Sequence, residues 1–284
     1  PDFRRRSAAL VDSHGAVALW SVLASHWLIL IAATAAGFVN AMAGGGTFFS
    51  YPAFVASGVP PALASASNTV GLWPGNAVSA FAYRKELYAV RERIPFLAAV
   101  SLTGSALGAT TLLWIGNAGF ARLLPPLVLF ATLLFTYAEQ VRQWVLRRPQ
   151  HDAVGTRKPY GLWAPTLGLG TVTFYIGFFG GGGNLLLLAT LSLMGYQNVQ
   201  HNNALKNLLA AITIASAFVV FLVQGSIAWP QTLACLLGSI TGGLIGARVA
   251  RRMSVIWLRR LVITVGFILT GIYTWQYWIK PLTS

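Results

Sequence analysis

The stretch HNNALKNLLAAIT places one lysine and three asparagines within an otherwise apolar run. On a helix, Asn202, Asn203, Lys206 and Asn207 share one face, because residues three and four positions apart are neighbours. A cation beside several amides offers positive charge and hydrogen-bond donors, which is the chemistry that holds a small anion. Two other roles remain open. The lysine could extend its amine to a polar boundary, and the amides could join neighbouring helices.

A matching polar stretch, SASNTVGLWPGN, lies in the first half of the chain and carries Ser65, Asn68 and Thr69 on one helical face. Each polar stretch follows a glycine cluster, Gly44–Gly46 in one case and Gly180–Gly183 in the other. Glycines that break a helix leave backbone N–H groups free at its N-terminus, where an anion is favoured. Close packing of helices is the alternative role for either cluster.

Acidic residues are rare, and none lies deep inside an apolar run. A cation transporter or a carboxylate proton relay needs buried acids, so this pattern argues against cation transport. The sequence also shows no Ser/His/Asp set within the apolar runs, no cluster of metal ligands and no GxxxxGK[ST] motif. We therefore expect no enzyme activity and no cofactor. The acids are Asp2, Asp12, Glu86, Glu92, Glu139 and Asp152.

The composition indicates the environment of these groups. The 284 residues are 56% hydrophobic and only 9% charged, whereas a soluble domain carries about 25% charged residues. Apolar runs of about 20 residues, the length that crosses a bilayer as a helix, recur along the chain. We predict an all-α polytopic membrane protein, because a spanning backbone must satisfy its own hydrogen bonds. The net charge of +14 lies mainly in short loops, which is typical of membrane topology and not of nucleic-acid binding.

The apolar segments fall into two halves on either side of a polar linker at 142–160, which we expect to be cytoplasmic. Residues 1–141 and residues 161–284 are each predicted to form one transmembrane repeat. The segments of the first half are 16–43, 47–57, 62–82, 94–115 and 119–141, and those of the second half are 161–180, 184–195, 200–224, 229–248 and 257–279.

The two halves match at a constant offset. The stretch SLTGSALGA, which begins at Ser101, recurs as SITGGLIGA at Ser239, 138 residues later, and an Arg-Leu pair recurs with the same offset. Basic loops face the cytoplasm, and corresponding loops of the two halves differ in charge, so we predict that the repeats are inverted. One observation opposes this topology, because it places the basic stretch Arg4–Arg6 outside the cytoplasm.

Two of the segments, 47–57 and 184–195, are too short to cross a membrane as straight helices. They extend about 17–18 Å, whereas the hydrocarbon core is about 30 Å thick. Short, glycine-interrupted segments at matching positions of two halves indicate a transport site. We therefore expect two short helices to meet near the membrane centre.

The paired motifs GGG followed by PPALASASNTV, and GFFGGGGNLLLL followed by NNALKNLLA, resemble the signatures of the TauE/SafE family of sulfite and organosulfonate exporters. The resemblance extends from about Asn40 to Tyr273. It implies a multi-pass protein of the bacterial inner membrane that exports a small sulfur oxyanion by alternating access, without ATP hydrolysis by this chain. The implied partners are the lipid bilayer and the anion, with no nucleic acid.

From the residues and the resemblance together, we expect a central site for an anion such as sulfite or an organosulfonate. The alternatives are an anion channel on the same fold, a transporter of thiosulfate or a carboxylate, and a protein that uses the repeats only for packing. Gly/Ala stripes could also serve a homodimer. The residues predicted to bind the substrate are Gly44, Gly45, Gly46, Asn68, Thr69, Gly181, Gly182, Gly183, Asn184, Asn203, Lys206 and Asn207.

Overall fold

The regular structure of the chain is helical wherever the structure describes it. The computed structural model describes residues 26–42, 44–82, 84–88, 90–138, 140, 143, 163–196, 198–249 and 255–283. Within these ranges no strand is present, and the prediction of an all-α fold is confirmed. Most of the predicted linker and the first part of the predicted segment 16–43 lie outside the described residues.

Within the described residues, the first half begins with a helix that is longer than the two that follow it, and those two are too short to cross a membrane. Helix α1 is followed by the first glycine turn, and a second glycine, Gly58, lies between the two short helices. The helices are α1 His26–Met42, α2 Thr47–Ala56, α3 Pro61–Gly71, α4 Trp73–Ala82, α5 Arg84–Tyr88 and α6 Ile94–Thr136, with a 3₁₀ turn Arg91–Arg93 before α6.

The second half again places a glycine turn between a longer helix and a short one. The short helix has 11 residues, close to the 10 residues of α2. The helices are α7 Trp163–Phe178, α8 Gly183–Leu193, α9 Val199–Val223, α10 Trp229–Val249, α11 Val255–Thr274 and α12 Lys280–Thr283, with a π-helical turn Trp275–Ile279 between the last two.

The helices depart from the predicted segments in two places, at α6 and at the boundary between α3 and α4, and each difference has a local cause. Helix α6 runs through both predicted segments 94–115 and 119–141, but Gly116 breaks its course with a positive φ of 68°. The predicted segment 62–82 is divided between α3 and α4 at Leu72. Pro74 follows this break, and a proline ring cannot donate to a preceding carbonyl and clashes with it inside a helix.

The surface of the helices is apolar, as a membrane requires. Arg91–Thr136, Gln200–Val223 and Trp257–Ile279 are long and apolar enough to cross a bilayer. Large apolar side chains such as Trp114 and Val223 are 86% and 77% exposed. In water such a surface would associate, so the exposed residues indicate contact with lipid.

Glycines bring the first helix of each half against the other half. A Cβ atom at Gly242 of α10 would collide with the carbonyl oxygen of Thr34 in α1. A Cβ atom at Gly104 of α6 would come within 2.7 Å of the carbonyl oxygen of Gly170 in α7. Gly104 and Gly242 lie 138 residues apart, which is the offset of the predicted repeat. The two halves are therefore interlocked by equivalent contacts.

Candidate anion-binding site

A small cavity lies between the two glycine turns. Its volume is about 40 Å³, and a single water needs about 10–15 Å³ by the same measure. The cavity therefore has room for a small anion of a few heavy atoms. It is lined by Asn40, Gly45, Thr47, Thr69, Leu72, Asn76, Phe135, Ile176, Gly180, Gly182, Gly183, Asn184, Leu185, Ala210 and Ile214.

The first glycine turn joins α1 to α2. Gly44 and Gly45 have positive φ values of 77° and 88°, a backbone conformation that favours glycine. The side-chain oxygen of Asn40 accepts a hydrogen bond from the Gly46 N–H at 3.0 Å, which holds the turn against α1. The N–H of Thr47, the first residue of α2, donates to no acceptor among the described residues.

The second glycine turn joins α7 to α8 and has the same design with different supports. Gly180 and Gly182 have positive φ values of 81° and 76°. The Tyr175 hydroxyl donates to the Gly181 carbonyl at 2.6 Å, which fixes the turn. The N–H of Asn184 in the first turn of α8 has no acceptor among the residues that the structure describes.

Helices α2 and α8 therefore both begin at the cavity. A helix N-terminus carries a partial positive charge and unpaired N–H groups, so it favours an anion. Gly45 and Thr47 line the cavity at the start of α2, and Gly183 and Asn184 line it at the start of α8. Two helix dipoles therefore act on the same small volume.

Polar side chains complete the lining. The Asn184 side-chain amide lies 3.5 Å from the side-chain oxygen of Asn76, a long contact that joins the two halves across the cavity. The Thr69 hydroxyl donates to the Ser65 carbonyl at 2.8 Å, whereas the Thr47 hydroxyl has no partner among the described residues. None of the residues that line the cavity is acidic, so nothing in the lining repels an anion.

Five of the predicted site residues line this cavity: Gly45, Thr69, Gly182, Gly183 and Asn184. The predicted residues Gly44, Gly46 and Gly181 belong to the same turns without lining the cavity, and Asn68 is buried one residue before Thr69. Sequence reasoning missed three polar lining residues. Asn40 and Thr47 lie beside the first glycine cluster, and Asn76 ends the polar stretch SASNTVGLWPGN, so proximity to these two motifs was the available signal.

The predicted polar face of α9 is divided by the structure. Lys206 is partly buried and lies one helical turn before the lining residue Ala210, but it does not itself line the cavity. It has no hydrogen-bond or ion-pair partner among the residues described. Asn207 is buried beside it, and Asn203 is partly buried one turn earlier. By helical spacing, these three residues lie on the face of α9 that also carries the lining residue Ala210.

Asn202 has a different role from its neighbours. Its amide nitrogen lies 2.6 Å from the Ser192 hydroxyl and 2.9 Å from the Tyr196 carbonyl. It also lies 3.3 Å from the Leu188 carbonyl. These contacts join the start of α9 to the end of α8, so Asn202 is a structural link between the two helices.

Pairs of residues separated by the predicted repeat offset lie in the cavity lining or directly beside it. The Trp73 indole N–H donates to the Ala211 carbonyl at 3.0 Å, although these residues lie 138 positions apart. Four further pairs with this separation line the cavity: Gly45 and Gly183, Thr47 and Leu185, Leu72 and Ala210, and Asn76 and Ile214.

Comparisons with known proteins agree with this architecture. A family model described as "Sulfite exporter TauE/SafE" matches residues 29–274. The chain is 31% identical over 240 residues to "Probable membrane transporter protein" of Haemophilus influenzae, covering 83% of this chain and 89% of that protein. It is 27% identical over 255 residues to "Probable membrane transporter protein YfcA" of Escherichia coli strain K12, covering 86% of this chain and 87% of that protein. No solved structure matches the chain.

The apolar helices and these relatives define the chain as a membrane transporter. Since the family model covers most of its length, the chain belongs to the TauE/SafE family of sulfite exporters.

Proposed function

We propose that this transporter exports a small sulfur oxyanion, sulfite or an organosulfonate, across the bacterial inner membrane by alternating access. The observation that carries the proposal is that two helix N-termini meet at one small cavity, where the N–H groups of Thr47 and Asn184 have no acceptor among the described residues. Amide and hydroxyl side chains surround the same volume. Such a site replaces the water shell of an oxyanion with directional donors.

Lys206 supplies the countercharge in this proposal. Its backbone lies one turn from Ala210 in the cavity lining, about 5.4 Å along the helix axis. A cation without a paired acid inside a membrane segment is costly and is retained for a function. The lysine therefore attracts the anion, while the glycine turns and amides orient it. A membrane potential that is negative inside favours exit by about 2.3 kcal/mol per charge per 100 mV.

Two inverted repeats provide the alternating access. The pairs of residues 138 positions apart at the cavity, and the contact of Trp73 with Ala211, support a pseudo-twofold axis through the site. The glycine contacts of α1 with α10 and of α6 with α7 interlock the two halves. The halves therefore do not move as separate rigid bodies, and the change of access occurs at the short helices α2 and α8 and their glycine turns.

The test is sulfite flux in proteoliposomes under an imposed potential, for the wild type, Lys206→Ala and Lys206→Arg. We expect saturable flux with counterflow in the wild type, loss of flux in Lys206→Ala and partial retention in Lys206→Arg. Lys280→Ala, at the end of the described chain, is the matched control for removing a lysine. Flux without saturation or counterflow would identify a channel. Normal flux in Lys206→Ala would remove the lysine from the mechanism.

A further inference from the structure

The first glycine turn lies against two buried apolar side chains that come from different helices. A Cβ atom at Gly45 would lie 2.8 Å from Cζ of the Phe135 ring and 3.0 Å from Cγ1 of Val262. Phe135 belongs to the last turn of α6, and Val262 belongs to α11. The Phe135 ring also lines the cavity. The spacing between α6 and α11 therefore sets the space that is available to the turn.

Arg259 joins these two helices beside the turn. It precedes Val262 by three residues on α11, so the two residues are neighbours on one face of that helix. Its Nε–H donates to the Phe135 carbonyl at 2.7 Å, and a terminal N–H donates to the Thr136 carbonyl at 2.9 Å. The last carbonyls of a helix have no partner inside the helix and carry a partial negative charge. A guanidinium suits this position because its rigid fork reaches two acceptors at once.

At the second glycine turn the sequence offers no equivalent arginine. The residue 138 positions before Arg259 is Ala121, whose side chain has no hydrogen-bond donor. The second turn is supported instead by the Tyr175 hydroxyl of its own half, which donates to the Gly181 carbonyl. A cation of the second half therefore supports the first turn, whereas a neutral group supports the second.

We infer that Arg259 is a positioning residue of the anion site. It holds the end of α6 against α11, so that the Phe135 ring keeps the first glycine turn, and with it the Thr47 N–H group, in place. The Phe135 ring also meets the Phe48 ring of α2 edge-on, with centroids 5.8 Å apart, so the constraint extends into the short helix. Arg259 does not line the cavity, so it acts through Phe135. This inference rests on the proposed function and adds a residue that sets the affinity of its site.

The test measures equilibrium binding of radiolabelled sulfite to purified protein and sulfite flux in proteoliposomes, with thermal unfolding as the check on the fold. Arg259→Gln removes the fork that bridges the two carbonyls. Its Kd and KM for sulfite should rise about tenfold, while maximal flux per folded protein stays unchanged, as for a loss of binding alone. Arg259→Lys keeps the charge and a donor and should recover part of the affinity. Arg260→Gln is the matched control, because Arg260 is exposed and lies over the Trp257 ring, and it should leave both constants unchanged.

A double-mutant cycle with Phe135→Leu separates positioning from a general loss of structure. Two changes that act through one contact are not additive, so Arg259→Gln should weaken sulfite binding much less in the Phe135→Leu background than in the wild type. If Arg259→Gln does not fold, Arg259→Lys carries the same cycle, with a smaller rise in KM that disappears in the Phe135→Leu background.

Two results would overturn the inference and leave the proposed function intact. One is wild-type affinity in a folded Arg259→Gln variant. The other is an equal loss of affinity in both backgrounds of the cycle. Absence of saturable sulfite binding and flux in the wild type would overturn the proposed function as well.

Discussion

The two halves of the chain contribute a similar backbone turn to the cavity but different side chains. Gly45 and Gly183 occupy positions 138 residues apart, and each belongs to a glycine turn that starts a short helix. Asn76 and Ile214 form another such pair, but Asn76 of the first half is polar, whereas Ile214 of the second half is apolar. Backbone donors thus come from both halves, whereas side-chain donors come mainly from one.

The difference in side chains between the two halves explains how a repeated fold can form a selective site. A symmetric pair of helix N-termini attracts any small anion, because a dipole does not distinguish one anion from another. Selection requires the lining to differ around the ligand. The flanking positions follow the same division, since Lys206 of the second half corresponds to Asn68 of the first at the same offset. Charge and side-chain polarity therefore lie on different halves.

The largest expected effect concerns the glycine turns, which the comparison treats as equivalent. Gly45→Ala forces a left-handed φ on alanine and brings its Cβ within 2.8 Å of the Phe135 ring, which should cost about 2–4 kcal/mol. Gly182→Ala has the same strain but no contact closer than 3.5 Å, so about 1–2 kcal/mol is expected. Thermal unfolding in detergent measures both, with Gly271→Ala as the control in open space. Equal losses at the two turns would show that packing around them does not differ.

Each half also has an asparagine side chain that joins a short helix to a neighbouring helix, and the two links differ in their hydrogen bonds. In the second half, Asn202 joins α9 to α8. In the first half, the Asn117 side chain accepts a hydrogen bond from the Ala62 N–H at 3.0 Å. Asn202→Ala should lower the free energy of unfolding by about 1–3 kcal/mol, because it leaves buried oxygens without a donor. Asn117→Ala should cost about 0.5–1.5 kcal/mol.

Flux assays separate this structural role from a binding role. The KM for sulfite should stay unchanged in both variants, because neither residue lines the cavity. A raised KM in a variant of wild-type stability would place Asn202 in the binding site.

The smallest expected effect concerns one hydroxyl of the cavity lining. Thr47→Val keeps the shape of the side chain and removes a hydroxyl of the cavity lining that has no partner among the described residues. Sulfite affinity should fall about tenfold, as for a lost hydrogen bond to a charged group. Thr110→Val, on a hydroxyl that donates to the Ala106 carbonyl on the outer surface, should leave affinity unchanged. Similar affinities in the two variants would exclude Thr47 from binding.

Local patterns of the sequence predict much of the fold. Apolar runs separated by basic loops predict membrane helices, and the glycine clusters predict the breaks before α2 and α8. The division at Leu72 between α3 and α4 was missed, because the apolar run continues through it and only Pro74 indicates the break. The inverted arrangement of the repeats and the membrane sides of the loops stay predictions.

The site was less predictable because its lining depends on contacts between distant helices. Phe135 and Ile176 line the cavity, yet both are apolar residues inside apolar runs, and nothing in their local sequence distinguishes them from other residues of those runs. The spacing on α9 placed Asn202 and Lys206 on one face, but spacing cannot tell which neighbour each side chain meets. Asn202 contacts α8, and Lys206 lies one helical turn before Ala210, which lines the cavity. Side-chain roles follow from tertiary packing, which local periodicity does not contain.

The most direct test of the account gives the first half the side chains of the second. The double variant Thr47→Leu, Asn76→Ile replaces two polar lining residues of the first half by the residues found 138 positions later, Leu185 and Ile214, and leaves both glycine turns unchanged. Equilibrium binding of radiolabelled sulfite to purified protein is the measurement, with elution and thermal unfolding confirming the fold. The account predicts that sulfite affinity falls by more than about tenfold. Unchanged affinity in a folded double variant would contradict it, because the anion would then bind elsewhere in the protein.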